Sequence, residues 1–334
     1  MTLRLTALAA LLATALPALA DEINVYSHRQ PELIQPLVDA FTAETGIAVN
    51  VAFIDKGMAE RLVAEGDRSP ADLVLTVDIA RLMQIVEADV TQPVTSPVLD
   101  AAIPATLRDP AGHWFGLTTR ARIVYASKDR VADGEVTSYE DLADPKWKGR
   151  ICTRSGLSDY NVALTAAMIT HHGEEATQTW LEGLKANLAR KPEGGDRDQV
   201  KAIAAGECDI AIGNTYYIGQ MLADPEQAPA AETVRILFPV FEGDGTHVNI
   251  SGVAMTKSAP NHDAALKFME WLASDEAQKI YAETNNEYPA KPGVERSALV
   301  AGWGDFTQDS KSLAEIAGFR PAAVKLVETV DFDG

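Results

Sequence analysis

Four tyrosines stand out by where they fall. Tyr216 and Tyr217 are adjacent, directly after the strand-like run Asp209–Gly213. Tyr26 closes the run Ile23-Asn24-Val25-Tyr26, and Tyr160 follows the run Arg150–Arg154. A tyrosine is ordinarily a half-buried core residue with its hydroxyl tethered to a neighbour, and any one of the four reads that way by itself. The adjacent pair does not. Neighbours on a helix diverge by about 100°, so a core face would bury only one of them. At the entry to a helix, both hydroxyls can converge on a point outside it, and Gly213-Asn214-Thr215 offers a candidate N-cap there. The positive end of the helix dipole favours negative charge at that point, a phenolate included.

A free phenol ionises near pH 10, so these groups are neutral at ordinary pH unless a bound cation stabilises the anion. Hard, highly charged cations choose oxygen donors. The sequence has no Cys/His cluster of the kind that holds zinc or copper, and no calcium-loop spacing. Among common metals, Fe(III) best suits a tyrosine-rich set of ligands. His28 lies two residues beyond Tyr26 and is expected to face solvent. His171-His172 ends a helix just before Gly173, where the dipole alone favours histidine, and adjacent rings are badly placed to chelate one ion. Asp331-Phe332-Asp333-Gly334 lacks the later ligands of a calcium loop and is expected to fray. Walker A, dinucleotide-binding, Gly-x-Ser-x-Gly and His-Glu-x-x-His patterns are all missing, and no nucleophile–base pair can be placed, so no enzyme is expected.

The elements that must hold these residues alternate. Strand-like runs at Ile23–Tyr26, Ile47–Phe53 and Asp72–Thr76 are separated by helical patterns at Glu32–Glu44, Met58–Glu65 and Ile79–Glu87. A second α/β set follows: strand Arg150–Arg154, helices Asn161–His171, Glu174–Asn187 and Asp198–Ala205, strand Asp209–Gly213 and helix Tyr217–Leu222. Such alternation indicates parallel βαβ units. Two long β-rich runs, His113–Ser127 and Val234–Thr256, flank the second set, the latter interrupted at Glu242–Gly245. Helices Asp263–Ala273 and Ala314–Thr329 finish the chain. The order suggests two α/β lobes joined by two long crossing strands, with the strand ends that carry the tyrosines facing one cleft.

The first residues read as a signal peptide: Arg4, an apolar run Leu5–Leu16 too short for a membrane span, then Pro17-Ala18-Leu19-Ala20, with cleavage expected after Ala20. No cysteine lies there to take a lipid anchor. The formal net charge of −19 opposes nucleic acid and anionic lipid and favours cations. Cys152 and Cys208 are the only cysteines, and in an exported chain such a pair reads as one disulfide.

Several segments together carry a resemblance. Val25-Tyr26-Ser27-His28-Arg29-Gln30, Ser69-Pro70-Ala71-Asp72, Leu117-Thr118-Thr119-Arg120-Ala121-Arg122, Cys152-Thr153-Arg154-Ser155-Gly156 with Tyr160-Asn161, and Gly213-Asn214-Thr215-Tyr216-Tyr217 are similar, in order, to motifs of the periplasmic ferric-iron-binding proteins of ABC importers. That resemblance implies an α/β, two-lobe periplasmic binding protein of the type II clamshell kind, with two crossing hinge strands. One lobe is expected over 21–117 plus about 246–285, the other over 118–245 plus about 286–334. It implies phenolate ligands from Tyr160, Tyr216 and Tyr217 on the second lobe and from Tyr26 on the first, with Arg29 and Arg120 as supporting cations. Many relatives carry a histidine ligand after the motif arginine; this chain has Gln30 there, which leaves Gln30, His28, water or a small anion such as an arginine-held carbonate for the remaining position. The implied role is a monomeric periplasmic carrier of Fe(III) cargo that serves an inner-membrane permease and its ATPase. The same fold carrying a polyamine, an organic anion or a sugar is the alternative.

Overall fold

Branched apolar residues in short runs build nine strands: β1 (Glu22–Ser27), β2 (Ala48–Phe53), β3 (Leu73–Thr76), β4 (Phe115–Ser127), β5 (Ile151–Cys152), β6 (Ile210–Asn214), β7 (Val234–Leu237), β8 (Val248–Met255) and β9 (Tyr288–Pro289). The computed structural model describes residues 22–334; the expected leader, 1–20, lies outside the described residues. The strands follow the order β2-β1-β3-β8-β4-β6-β5, with β7 and β9 also pairing along β4. Pairings of β1 with β2 and β3, and of β5 with β6, are parallel, as the βαβ alternation requires.

β4 belongs to both halves. Phe115 to Ala121 pair antiparallel with β8, and Arg122 to Ser127 pair with β6 and β7. All thirteen of its residues are buried. β8 connects the other way, to β3 through Thr76↔Gly252. The second β-rich run is broken more widely than the sequence suggests, because β7 stops at Leu237 and β8 begins only at Val248. Pro239, which has no N–H to give a ladder, sits in the gap, and Gly243 turns the chain at φ 82°.

The Asp159–Ala186 helix carries the kink that its sequence marks: Gly173 adopts φ 81°, ψ 169° and separates two helical stretches. Ser158 caps its start by accepting from the Asn161 amide. The expected Ala314–Thr329 helix is two helices, Leu313–Gly318 and Arg320–Thr329, with Pro321 in the first turn of the second. A further helix, Asp275–Asn285, lies against the Pro31–Thr45 helix. No helix among the described residues is long and apolar enough to cross a membrane. The C-terminal tail does not fray. Phe332 is buried, and Asp333 accepts from the Gly156 amide at 2.7 Å and the Ser155 hydroxyl at 2.5 Å.

Cys152 ends β5 and Cys208 precedes β6, so the parallel pairing brings their Cα atoms to 5.9 Å, and they form the disulfide. The bridge closes a loop of sequence separation 56, which confers about 2–4 kcal/mol by restricting the unfolded chain. Replacing both cysteines with alanine should lower stability by that amount in urea unfolding, and alkylation without reduction should label neither thiol of the native chain. A second expectation concerns acid. His247, fully enclosed beside Tyr139, is held neutral, its pKa lowered to about 3 by burial and then by Arg122. A depressed folded pKa gives stability that is present above the unfolded value near 6.5 and lost as pH falls toward 3. Thermal midpoints followed from pH 7 to pH 4 should fall, and His247→Phe should flatten part of that fall.

Candidate metal centre

Two strand ends deliver the tyrosines. β6 stops at Asn214, and Tyr216 opens the Tyr216–Leu222 helix; β5 stops at Cys152, and Tyr160 is the second residue of the Asp159–Ala186 helix. This is the crevice beyond the carboxyl ends of an α/β sheet, where ligands gather. The hydroxyls of Tyr160 and Tyr216 lie 3.2 Å apart, and the rings of Tyr216 and Tyr217 are 4.2 Å apart between centroids. Tyr216 is buried, while Tyr217 and Tyr160 are half-buried. Burial first, then Tyr160 and Tyr217, raise the Tyr216 hydroxyl well above the usual phenol range; burial and then Tyr160 raise Tyr217. Both are neutral phenols until something draws off their protons.

Small residues let this helix approach. A Cβ on Gly213 would stand 2.1 Å from the ring of Tyr125, whose hydroxyl donates to the Asn214 carbonyl at 2.5 Å. Gly219, one turn after Tyr216, leaves room for Asn286 beside Glu287. Thr215 does not act as the expected cap: it is already helical at φ −53°, ψ −47°, and its buried hydroxyl has no partner.

Around the tyrosines, four arginines are bonded in pairs, each pair to one carboxylate. Arg29 and Arg120 reach Glu287 at 3.0 and 3.1 Å, and all three side chains are buried. Ser251 accepts from both guanidiniums, and the Thr118 hydroxyl donates to Glu287. Burial opposes the charge on Glu287, but Arg120 and Arg29 overcome it and hold the carboxyl below its usual range. Arg122 and Arg154 share Asp196 in the same way, at 2.6 and 3.3 Å, and Arg122 also holds Asn161 and Asn214. The Arg120 guanidinium carbon lies 5.8 Å from the Tyr216 ring centroid; those of Arg122 and Arg154 lie 5.7 and 5.1 Å from that of Tyr160. Positive charge therefore exceeds negative beneath the three phenols.

The hydrogen bonds of Tyr26 do not run to these three tyrosines. Its hydroxyl donates to Glu65 at 2.9 Å, its ring lies under Arg61 at 4.4 Å, and burial followed by Glu65 raises its pKa. Its hydrogen bonds stay within its own neighbourhood, on the Met58–Glu65 helix. His28 is half-buried rather than solvent-facing; burial, then Arg81, lower its pKa to about 4, and its Nδ1 has no partner. Gln30 is exposed at the start of the Pro31–Thr45 helix. Arg81 and Asp159 approach to 3.3 Å and bind the Ile79–Glu87 helix to the residue before Tyr160. Beside Tyr217 a cavity of about 500 Å³ opens, lined in part by Arg154, Arg197, Lys201 and Gln227.

Residues 36–308 match the bacterial extracellular solute-binding protein family. The chain belongs to that family. It is 44% identical over 317 residues to iron uptake protein A1 of Synechocystis sp., covering 93% of this chain and 87% of the relative. Ferric iron-binding protein A of Mannheimia haemolytica, solved in an open conformation, superposes with a TM-score of 0.91 at 55% identity, covering 94% of this chain and 100% of the other. A Trichodesmium protein solved in complex with iron and citrate ligands superposes at 0.90 with 43% identity, covering 93% and 99%. The fold of this solute-binding protein is accordingly the mixed α/β fold of periplasmic binding proteins, as expected.

Sequence reasoning reached Arg29 and Arg120 but gave no role to Arg122, Arg154, Asp196 or Glu287. Arg120 and Arg122 alternate inside a long β-rich run, which is a legible signal; Glu287, alone before Tyr288-Pro289, gives none. Glu287→Gln leaves two buried guanidiniums facing each other without a carboxylate. Breaking such a pair costs about 3–5 kcal/mol. Thermal and urea unfolding should register that loss, and ultraviolet titration of the phenols should move to lower pH as the field at Tyr216 becomes more positive.

Proposed function

We propose that this solute-binding protein carries ferric iron in the periplasm, binds it through the phenolates of Tyr160, Tyr216 and Tyr217, and presents it to an inner-membrane ABC permease. The observation that carries the proposal is the convergence of three tyrosines over a buried surplus of arginine. Three phenolates neutralise Fe(III), and each proton lost is replaced by a stronger interaction with the ion. The remaining positive charge suits a small anion, such as carbonate or the carboxylates of a chelate, in the rest of the coordination shell. The relatives named for iron uptake and ferric iron binding, and the one solved with iron and citrate, support this reading of the cargo.

The lobes proposed for the carrier are 21–117 with about 246–285, and 118–245 with about 286–334. Packing of Asp275–Asn285 on Pro31–Thr45, and of the last two helices on Asp159–Ala186, supports that division. Tyr160, Tyr216 and Tyr217 then belong to the second lobe, and Arg81 reaches Asp159 from the first. Closure of two lobes over a ligand is a general property of periplasmic binding proteins.

Adding ferric citrate to the iron-free protein should produce a visible phenolate-to-iron band. Tyr216→Phe and Tyr217→Phe each remove one oxygen and keep the ring, so each should weaken iron binding at least about a hundredfold, roughly 2.7 kcal/mol, with little change in unfolding midpoint. Tyr26→Phe should leave the band in place. A colourless titration would end the iron reading and bring forward an organic anion held by the arginines.

A further inference from the structure

Away from the tyrosines, His171, Asp244 and Asp309 each offer one ligand atom, and these atoms lie within 4.8 Å of one another. They come from three separate segments: the stretch of the Asp159–Ala186 helix just before Gly173, the turn between β7 and β8, and the loop before the Leu313–Gly318 helix. We propose that these three side chains form a second metal site, one that takes a first-row divalent cation.

The segments are fixed independently of any ion. The Thr246 amide donates to the Thr307 carbonyl at 2.8 Å, and the Asp309 amide donates to the Thr246 carbonyl at 2.9 Å, so the turn and the loop are laced together. The His171 ring stacks on Phe241 at 4.1 Å, which sets its plane. Asp244 is oriented by the Ser310 amide and hydroxyl, at 2.9 and 2.6 Å. His171 Nε2 stands 3.0 Å from Asp309 Oδ1. Ions of this class hold nitrogen and oxygen at about 2.0–2.2 Å, which places neighbouring ligand atoms roughly 3 Å apart.

A simple histidine–aspartate ion pair explains less. The Asp309 side chain is only 2% exposed, yet its Oδ2 is shut from solvent with no hydrogen-bond partner. A second carboxylate, Asp244, lies beside it, and like charges at that distance repel unless a cation intervenes. Burial, with Asp244 adding to it, also raises the Asp309 carboxyl, as an unmet negative site would be raised. One imidazole with two carboxylates suits zinc, manganese or cobalt, whereas calcium and magnesium favour shells of oxygen alone. Asp244 is half-exposed, which leaves water a way to the remaining positions. His172 takes no part, since its Nε2 turns to Glu140 at 2.6 Å. Such an ion would clip the β7–β8 turn and the 306–311 loop to the kinked helix, just ahead of β8.

Cobalt(II) is the probe, because its visible bands report nitrogen and carboxylate ligation directly. The iron-free full chain should bind one equivalent and gain thermal stability, and the Tyr216→Phe/Tyr217→Phe double variant should do the same. Asp309→Asn and His171→Gln should each weaken cobalt binding at least about tenfold, the cost of losing even a residue that only supports a ligand. Asp244→Asn keeps one acceptor oxygen for the Ser310 and Gly245 amides and should fold normally, yet show the same loss. Iron binding should persist in all three. Absence of cobalt bands in the native chain, binding that survives both Asp309→Asn and Asp244→Asn, or binding abolished in the tyrosine variant would each overturn the site.

Discussion

The arrangement depends on a shortage of carboxylate under the tyrosines. Arg29 and Arg120 share Glu287, and Arg122 and Arg154 share Asp196, each pair bonded through one acid. Placing charges in a low-dielectric interior is costly, and two cations to one anion is a poor trade for stability alone. The cost makes sense where negative charge is to arrive later. In the proposed carrier, neutral phenols would keep the cavity within tolerable limits until an ion of high charge converted them to phenolates, and the guanidiniums would then face anions instead of rings.

The same groups tie the chain together. Glu287 precedes β9, Arg29 follows β1, Arg120 lies in β4 and Ser251 in β8, so one buried network ties the end of β1 to the paired strands β4, β8 and β9. Asp196, at the start of the Asp196–Ala205 helix, accepts from the Asn214 amide at 2.9 Å, and so fixes the end of β6 just ahead of the tyrosine pair. Substitutions at these positions would therefore act on folding and on ligand binding at once, which the isosteric tyrosine changes avoid.

Much of this was legible in the sequence, for definite reasons. The period of apolar residues locates the parallel units, and an adjacent tyrosine pair after a strand is hard to satisfy as core, so Tyr216 and Tyr217 stand out before any geometry, while Tyr26 and Tyr160 draw notice only by their place after strand-like runs. For Tyr26 the strand position does not say which helix its side chain meets; in the structure its hydroxyl bonds Glu65 and its ring lies under Arg61. The exposure of His28 was misjudged for the same reason, since Arg81 and Asp159 crowd it from elements far along the chain. Glu287 gave no local sign, and its partners are set by pairing more than 150 residues away in sequence.

The docked tail bears on when the protein becomes competent. Asp333 and Phe332 hold the Ser155–Gly156 turn, which leads into the helix that bears Tyr160, across a separation of 177 residues for the amide contact. A growing polypeptide cannot make that contact until Phe332 and Asp333 are synthesised. The turn that leads to Tyr160 is thus secured late, after most of the fold around it can already have formed. It also means that a change at Phe332 or Asp333, far along the chain from Tyr160, is felt at the turn before that residue.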